Sequence, residues 1–565
     1  MFAELEEVIQ REMERGRIPG LAISLIKGRE VVWSRGYGYA DLEKKVAVTP
    51  STVFSAQSVT KPVVATALMQ WHERGRFELD DLVNDHLAPI RLPNEWEDTS
   101  PVTIRHLLTH TGGLPVDVGA TELPPASELP LEEFVATVPR TVRPPGGEMV
   151  YANWGYSILG YLLGRFAAQS YDEYLRAHVF EPLGMQSSAI GHLPEGTAVA
   201  TGYFLSVIDG QHYAPPPLTW RTRPADPAGA LYSSVEDLAR FLIAHLNEGA
   251  WQGRRILAGR TVAEMHRLQV RAGRSQGGMG LGFKVDRQNG RRLICHGGDG
   301  PTFTAFVGAH PEEKVGVALL INMGRAQTTR SVVASAALRS LLGDDRRFGP
   351  QDVGQGASAL ETAVPGRYVS NFWGVEANVR LDGGQPAVDV QGGIVASIEG
   401  ERSYLIRGED GALRGYDGPF DGFDVTFEPG AGGEPARFYG GLYPWRFDRQ
   451  GDVMPLLPVD EEADLKGRWS GTIDSPLGPV PVRLYVADGS RATVTALAAQ
   501  DAALVESRAE RGRVSGYLDT SLPAFGEFRV FFRLAAVGES LRGRVYARGD
   551  FGEVPMPVEL SRSAS

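Results

Sequence analysis

Helical periodicity stops at one place in this chain, and that change constrains the fold more than any other feature. Up to about residue 345, apolar residues recur at helical spacing in several stretches that alternate with short apolar strands. Beyond residues 349–358, short alternating segments broken by Gly and Asp take over, a pattern typical of β barrels or sandwiches. The sequence therefore predicts an α/β unit, with helices around an antiparallel sheet, followed by an all-β region.

The all-β region contains an internal repeat. Residues 366–368 read Gly-Arg-Tyr and residues 467–469 read Gly-Arg-Trp, and a Val-Arg-Leu triplet follows each, at 379–381 and 482–484. Domains typically hold about 100–200 residues, so we interpret the repeat as two related β modules; chance similarity of Gly-rich segments is the alternative. The predicted organisation is a catalytic unit at 1–348, a linker at 349–358, a first barrel at 359–458 and a second at 459–565.

Ser58 and Lys61 stand three residues apart, just before an apolar helical pattern. Residues at that spacing share one face of a helical turn. A lysine in an apolar pocket can act as the base that serine needs to become a nucleophile. Because Pro62 disfavours helical geometry at Lys61, we expect a tightened first turn. A second Ser-x-x-Lys, Ser24 to Lys27, lies on a predicted strand, where positions three apart face opposite sides.

Two later triplets can complete such a site. In the first, Tyr151 and Asn153 precede a predicted helix; a tyrosine beside a lysine loses its proton more readily, and Asn153 can hold both the lysine and a substrate oxygen. The alternative for this triplet is a plain helix start, with Asn153 as its N-cap. We expect these residues to meet Ser58 and Lys61 in space.

The second triplet is His296, Gly297 and Gly298, at the end of an apolar strand. Glycines there would let a substrate backbone approach the strand edge, although an ordinary Gly-rich turn is the alternative. The backbone N–H groups of Ser58 and Asp299 are our candidates for the oxyanion hole. His110-Thr111-Gly112 has the same pattern but follows a helix, and we interpret it as a structural turn.

The ordered set Ser58-x-x-Lys61, Tyr151-x-Asn153 and His296-x-Gly298 resembles the serine β-lactamase-related hydrolases. The branch it is most similar to groups class C β-lactamases, D-alanyl-D-alanine carboxypeptidases, D-aminopeptidases and β-lactamase-fold esterases, and the resemblance covers about residues 1–345. It implies that Ser58 is acylated and that Lys61 and Tyr151 share the acid and base work. It also implies a catalytic fold of β-lactamase/transpeptidase type, with an antiparallel sheet, flanking helices and a helical subdomain.

The overall plan is similar to that of D-aminopeptidases, which carry two β-barrel domains after the catalytic domain. In those relatives a loop from a β domain reaches the catalytic cleft, and residues 519–525 are our candidate for that loop. The resemblance departs at His296, because β-lactamases usually have a lysine there that binds a substrate carboxylate. Asp299 adds an anion near the same wall, so we expect a preference for amino-terminal or neutral substrates.

Composition excludes several classes. The net charge is −12 with no basic block, so a nucleic-acid role has no electrostatic footprint. The single cysteine, Cys295, rules out an internal disulfide framework and a Cys-rich metal site. No apolar run is long enough to span a bilayer, and the acidic, amphipathic N-terminus does not resemble a signal peptide, so we expect a cytoplasmic protein. We predict no metal and no cofactor.

The leading hypothesis is a serine hydrolase that forms an acyl-enzyme on Ser58, as a peptidase, aminopeptidase or amidase for short or D-configured substrates. A carboxylesterase on the same scaffold is the first alternative. A penicillin-binding-like or non-catalytic peptide-binding protein is the second. The expected partner is a small peptide, amide or ester, and the sequence leaves a homo-oligomer open.

Overall fold

The structure is a computed structural model. It describes residues 2–115, 130–191, 193, 197–206, 211–214, 227–273 and 277–343, and, beyond residue 364, the strands given below with parts of their connections. The predicted linker at 349–358 lies outside the described residues.

The helices belong to the first part of the chain. They are α1 (Ala3–Gly16), α2 (Thr60–Glu73), α3 (Val83–Leu87), α4 (Ile104–Leu108), α5 (Leu131–Ala136), α6 (Asn153–Ala167), α7 (Tyr171–Leu175), a π-helical turn (Arg176–Phe180), α8 (Glu181–Leu183), α9 (Val235–Leu246), α10 (Gly259–His266) and α11 (Gln327–Leu342).

The strands of the first part include the main sheet and three small pairings. They are β1 (Gly20–Lys27), β2 (Glu30–Asp41), β3 (Val46–Ala47), β4 (Phe54–Gln57), β5 (Ala189–Ile190), β6 (Phe204–Leu205), β7 (His212–Tyr213), β8 (Leu231–Ser233), β9 (Ala250–Trp251), β10 (Arg254–Arg255), β11 (Val270–Arg271), β12 (Gly278–Met279), β13 (Lys284–Gln288), β14 (Arg291–Asp299), β15 (Thr304–His310) and β16 (Val315–Ile321).

The main sheet is antiparallel, and its described strands run in the order β11-β12-β13-β14-β15-β16-β1-β2-β3. The side chains of strand β1 show why the main sheet is covered by helices on both faces. Leu21, Ile23 and Leu25 join the core formed with α1 and α11, whereas Ala22 and Ile26 join the larger core formed with α2, α6 and α9. Since successive strand residues point to opposite faces, this run of apolar residues requires a layer of helices on each side.

Beyond residue 364 the described secondary structure is almost entirely strand, as the loss of helical periodicity predicted. An eight-stranded closed barrel comes first: β17 (Gly366–Ser370), β18 (Glu376–Asp382), β19 (Gln385–Gln391), β20 (Glu401–Arg407), β21 (Leu413–Tyr416), β22 (Asp424–Glu428), β23 (Arg437–Gly440) and β24 (Trp445–Gly451).

A nine-stranded, barrel-like antiparallel sheet follows. Its strands are β25 (Gly467–Ser475), β26 (Gly478–Val486), β27 (Ala492–Ala496), β28 (Ala499–Ala503), β29 (Val505–Glu510), β30 (Arg513–Leu522), β31 (Gly526–Val537), β32 (Ser540–Gly549) and β33 (Gly552–Arg562). The predicted fold class is confirmed.

The Gly-Arg-aromatic motif opens the first strand of each β unit. Tyr368 in β17 and Trp469 in β25 are both buried, and the Val-Arg-Leu triplets lie in the strands that pair with them. Of the candidate loop 519–525, Asp519 and its neighbours up to Leu522 belong to β30, where Leu522 pairs with Gly526. Residues 523–525 lie outside the described part of the chain.

Candidate active site

Ser58 lies in the turn between β4 and α2, one residue before Val59, the N-cap of α2. It therefore stands just ahead of the helix and not within its first turn. The turn is tight, as expected from Pro62, because the Lys61 N–H donates to the Ser58 carbonyl oxygen at 3.0 Å. Gln57 has φ +51°, in the left-handed region that non-glycine residues rarely adopt. This unusual residue turns the chain sharply out of β4 and sets the orientation of Ser58.

Lys61 is fully buried, and three oxygens accept hydrogen bonds from its Nζ. They are Ser58 Oγ at 3.1 Å, Asn153 Oδ1 at 2.6 Å and the carbonyl of Ala228 at 2.8 Å. An ammonium group has three N–H donors and no acceptor. The three contacts therefore suit a charged lysine and offset the cost of burying it.

The second predicted triplet meets the first. Asn153 is the first residue of α6, whose N-cap is Ala152, so its side chain holds Lys61 and does not cap the helix. The Lys61 Nζ lies 4.7 Å from the centre of the Tyr151 ring and 5.5 Å from that of Tyr156. The structure thus brings Ser58, Lys61, Tyr151 and Asn153 into one cluster, in which Lys61 and Tyr151 are buried and Ser58 and Asn153 are half-buried.

His296 joins this cluster from β14, with its ring centre 6.3 Å from that of Tyr151. Its Nδ1 lies 2.7 Å from the Gly297 carbonyl, which can only accept a hydrogen bond, so Nδ1 carries the proton and Nε2 is the acceptor nitrogen. Burial, together with the charge of nearby Lys61, lowers the pKa of His296 to about 3. The imidazole is therefore neutral at pH 7, as the sequence predicted.

Gly298 has a packing role that the sequence did not show. A Cβ on Gly298 would lie 2.3 Å from the carbonyl oxygen of Ala56 and 2.9 Å from Gln57 Cβ. The missing side chain therefore makes room for the segment that carries Ser58. The triplet is also part of a continuous strand, Arg291–Asp299, so the alternative of an ordinary turn is wrong.

Asp299 does not present an unbalanced anion to the cleft, and that expectation is wrong. Its carboxylate accepts hydrogen bonds at Oδ1 from Arg330 Nη1 at 2.6 Å and from Gln327 Nε2 at 3.0 Å. Arg330 is only 3% exposed. Because strand side chains alternate, the carboxylate points to the α11 side of β14, whereas Gly298 faces the Ser58 segment.

The backbone N–H of Asp299 is a candidate oxyanion donor, and its direction follows from the pairing of β14 with β15. The Gly300 N–H donates to the Phe303 carbonyl at 3.0 Å, which closes the β14–β15 hairpin. Hydrogen-bonded pairs alternate in an antiparallel ladder, so the Asp299 N–H, opposite Thr304, points away from β15. The pairing of β13 with β14 stops at Lys284 and Cys295, so β13 does not reach Asp299. The N–H is therefore directed toward the edge that β13 leaves uncovered.

Two contributors to this site were missed by sequence reasoning. The Ala228 carbonyl holds Lys61, and a backbone oxygen 167 positions away leaves no mark in the sequence. His110, interpreted as part of a turn, packs on Tyr151 with ring centres 4.2 Å apart. Its motif was visible beforehand, but its position behind Tyr151 depends on tertiary packing.

Other chemistry-bearing residues lie apart from the cluster. Burial raises the pKa of Cys295 to about 12, which fits a small apolar side chain and not a nucleophile. Across the described residues, no three His, Cys, Asp or Glu side chains are grouped so as to hold a metal ion. In the same part of the chain, no helix combines the length and apolar character needed to cross a bilayer.

Comparisons with known proteins agree with this geometry. The family model described as Beta-lactamase matches residues 5–339. The structure is similar to that of an octameric penicillin-binding protein homologue from Pyrococcus abyssi, with 26% identity, a TM-score of 0.55 and coverage of 79% of this chain and 99% of that one. It is also similar to D-amino acid amidase from Ochrobactrum anthropi SV3, with 22% identity, a TM-score of 0.53 and coverage of 61% and 100%.

Among curated proteins, Protein flp of Staphylococcus aureus strain MW2 is 25% identical over 329 residues, which is 57% of this chain and 63% of that protein. The chain thus spans less than two thirds of the length of this relative. Fold and site together define a protein of the β-lactamase fold with a Ser–Lys–Tyr cluster. The chain belongs to the beta-lactamase family.

Proposed function

We propose that this protein is a serine hydrolase that cleaves short amides or peptides through an acyl-enzyme on Ser58. The observation that carries the proposal is the 3.1 Å contact between Ser58 Oγ and a buried Lys61, which Asn153 and the Ala228 carbonyl hold in place. A nucleophile and a titratable partner within hydrogen-bond reach, oriented by a third group, are the arrangement that acyl transfer requires.

The contacts of Lys61 suggest how the proton moves. With its three donors directed at oxygens, the charged lysine cannot accept the serine proton in the resting state. We assign this role to Tyr151 as a phenolate, which the charge of Lys61 favours: its oxygen receives the Ser58 proton as the serine attacks and then passes that proton to the leaving amine. Lys61 stabilises the phenolate before the transfer and the partial negative charge on the serine oxygen during it.

The acyl carbonyl needs donors for its developing negative charge. We assign the backbone N–H groups of Ser58 and Asp299 to this role, because the latter points away from β15 and Gly298 packs against the Ser58 segment. A water molecule that enters after the amine has left would release the acid by the same steps in reverse.

The wall beside the nucleophile suggests the substrate class. His296 is neutral and Asp299 is paired with Arg330, so neither offers an unbalanced charge to a substrate. A substrate with a carboxylate next to the scissile bond would find no unpaired positive charge on this wall to strengthen its binding. We therefore propose neutral amides of short or D-configured peptides, in an amidase reaction.

The same neutral wall favours a carboxylesterase as the second candidate, because simple esters also lack a charge beside the reacting carbonyl. The homologue from Pyrococcus abyssi is described as octameric, so self-association of this chain is a further part of the proposal.

A paired assay separates the two reactions. D- and L-aminoacyl p-nitroanilides are compared with p-nitrophenyl esters in wild type and in Tyr151→Phe. Amines need a proton to leave, whereas p-nitrophenolate does not, so we expect amide turnover to fall about 100-fold or more and ester turnover to fall less. Turnover of esters alone by the wild type would support the esterase, and equal losses for both substrates would argue against the role assigned to Tyr151.

A further inference from the structure

His110 lies directly behind the phenol of Tyr151. It ends the turn after α4, is 3% exposed, and its ring centre lies 4.2 Å from that of Tyr151 at an interplanar angle of 30°. The ring of Tyr156 is 5.3 Å away on another side. The imidazole thus fills the space between the tyrosine of the site and the core.

The same residue also holds the backbone on both sides of Tyr151. The Val150 N–H donates to the His110 carbonyl at 2.8 Å, and the Ala152 N–H donates to His110 Nδ1 at 3.3 Å. Three contacts from one residue therefore fix three consecutive residues, the last of which is the N-cap of α6. Asn153, which holds Lys61, follows immediately.

The backbone of His110 is unusual as well. Its φ is +58°, in the left-handed region, where a non-glycine residue is disfavoured by about 1–2 kcal/mol. Such conformations persist where surrounding contacts impose them, and they are frequent at functional sites. Here this conformation places both the carbonyl and the ring against the same short segment.

The contacts define the protonation state of the ring. Because Nδ1 accepts from Ala152, the neutral ring carries its proton on Nε2. Burial is the main reason that the pKa of His110 lies well below its usual value, and the nearby Lys61 and His296 lower it further. A neutral ring keeps the hydrogen bond to Ala152 and adds no second positive charge beside Lys61.

We propose that His110 is a positioning residue for Tyr151: ring packing and its two contacts with the neighbouring backbone hold the phenol beside Lys61, where it can receive the Ser58 proton. The inference rests on the proposed serine hydrolase function and adds a residue to it. His110 touches no reacting atom in this account and acts through Tyr151.

The test separates the ring from the hydrogen bond. His110→Asn keeps an acceptor oxygen where Nδ1 stands and tolerates a positive φ, but it removes the ring from Tyr151. His110→Phe keeps a ring and loses the acceptor. His86→Asn, at a half-buried site on α3, is the matched control. For each variant, labelling with a fluorophosphonate counts reactive sites, so that kcat is expressed per labelled Ser58.

We expect His110→Asn to lower kcat per labelled site by about 100-fold, the order of loss that a misplacement near 1 Å causes, with a smaller change in KM. The acidic limb of the pH profile of kcat should shift, because the environment of the phenol changes. In His110→Phe, kcat per labelled site should fall less, and in the control, His86→Asn, it should match wild type. If Phe at a positive φ prevents folding, His110→Asn decides the question.

A second readout does not depend on turnover. With tyrosine labelled by 13C at the phenol carbon, NMR follows the titration of Tyr151, assigned by its disappearance in Tyr151→Phe. A displaced titration in His110→Asn supports the proposal. Unchanged kcat per labelled site together with an unchanged Tyr151 titration overturns it, even if the variant melts earlier. If wild type is not labelled at Ser58, the proposed function fails, and the titration still decides the role of His110.

Discussion

At the residue scale, the site depends on a few atoms that are placed by contacts far apart in sequence. Ser58, Lys61, Tyr151 and Asn153 could be named from their motifs, because those side chains carry the chemistry themselves. The Arg330 partner of Asp299 could not be named, since nothing in the sequence shows that α11 packs against that strand. The charge of Asp299 was therefore misjudged, although its position was anticipated.

Gly298 gives the most direct prediction at this scale. In Gly298→Ala the new methyl group would lie 2.3 Å from the Ala56 carbonyl, so the Ser58 segment must move. We expect kcat to fall about 100-fold with little change in KM, because the oxyanion donors and the nucleophile lose their alignment. Steady-state kinetics on the best substrate measures this.

Gly155→Ala is the control for that substitution. The new Cβ would meet its nearest neighbours at 3.6 Å or more, an ordinary contact, and alanine favours a helix. Activity near wild type is expected there. If Gly298→Ala were equally active, the tight packing of β14 on the Ser58 segment would be irrelevant to catalysis.

At the element scale, the predicted alternation of helices and strands in the first part of the chain is confirmed. Burial on both faces of β1 and the periodicity of α1 are local patterns. The errors occur at element ends. For example, Ser233 and Glu236 have the spacing of a capping box, which predicts Ser233 as the N-cap of α9. The N-cap is instead Ser234, which accepts from the Asp237 N–H, because Ser233 belongs to β8 and its hydroxyl lies 2.8 Å from that of Ser188. The pairing of β8 in its sheet thus determines which of the two adjacent serines caps the helix.

The connection between β4 and α2 supplies the prediction at this scale. Gln57 adopts φ +51°, its Nε2 donates to Ser55 Oγ at 2.8 Å, and its amide packs on Gly300. We expect Gln57→Gly to be more stable than Gln57→Ala by about 1 kcal/mol, since alanine keeps the φ penalty. Denaturant unfolding of both variants measures the difference. A more stable alanine variant would mean that the backbone relaxes to negative φ.

At the scale of the whole molecule, the transition from an α/β unit to all-β structure was readable from periodicity. The sequence predicted that this region would be barrel-like and all-β, whereas the number of strands and their register depend on long-range pairing that the sequence does not show.

The first part of the chain also buries several histidines. His245 and His266 lie 3.2 Å apart between their ring nitrogens, and His245 contacts Thr66 of α2.

These buried histidines predict a loss of stability in acid. Burial lowers the pKa of both His245 and His296 to about 3, whereas an unfolded histidine titrates near 6.5. The unfolded state therefore binds more protons at intermediate pH, so their stabilising contribution is complete above about pH 6.5 and declines as pH falls toward 3, by about 1.4 kcal/mol per unit for each ring.

The melting temperature of the catalytic unit between pH 7 and pH 4 measures this effect. His245→Gln, which removes one of the buried rings, should flatten the dependence, and His86→Gln at a half-buried site should leave it largely unchanged. A melting temperature that stays constant over this range would contradict the assignment of neutral buried rings.

The proposed reaction requires Ser58 to be the nucleophile and Lys61 to be the group that makes Ser58 reactive. The most direct measurement is peptide mapping by mass spectrometry after treatment with a fluorophosphonate. We expect one adduct, on Ser58, that is absent in Ser58→Ala and forms at least about 100-fold more slowly in Lys61→Met. An adduct on another serine, or hydrolysis that persists in Ser58→Ala, would contradict the account.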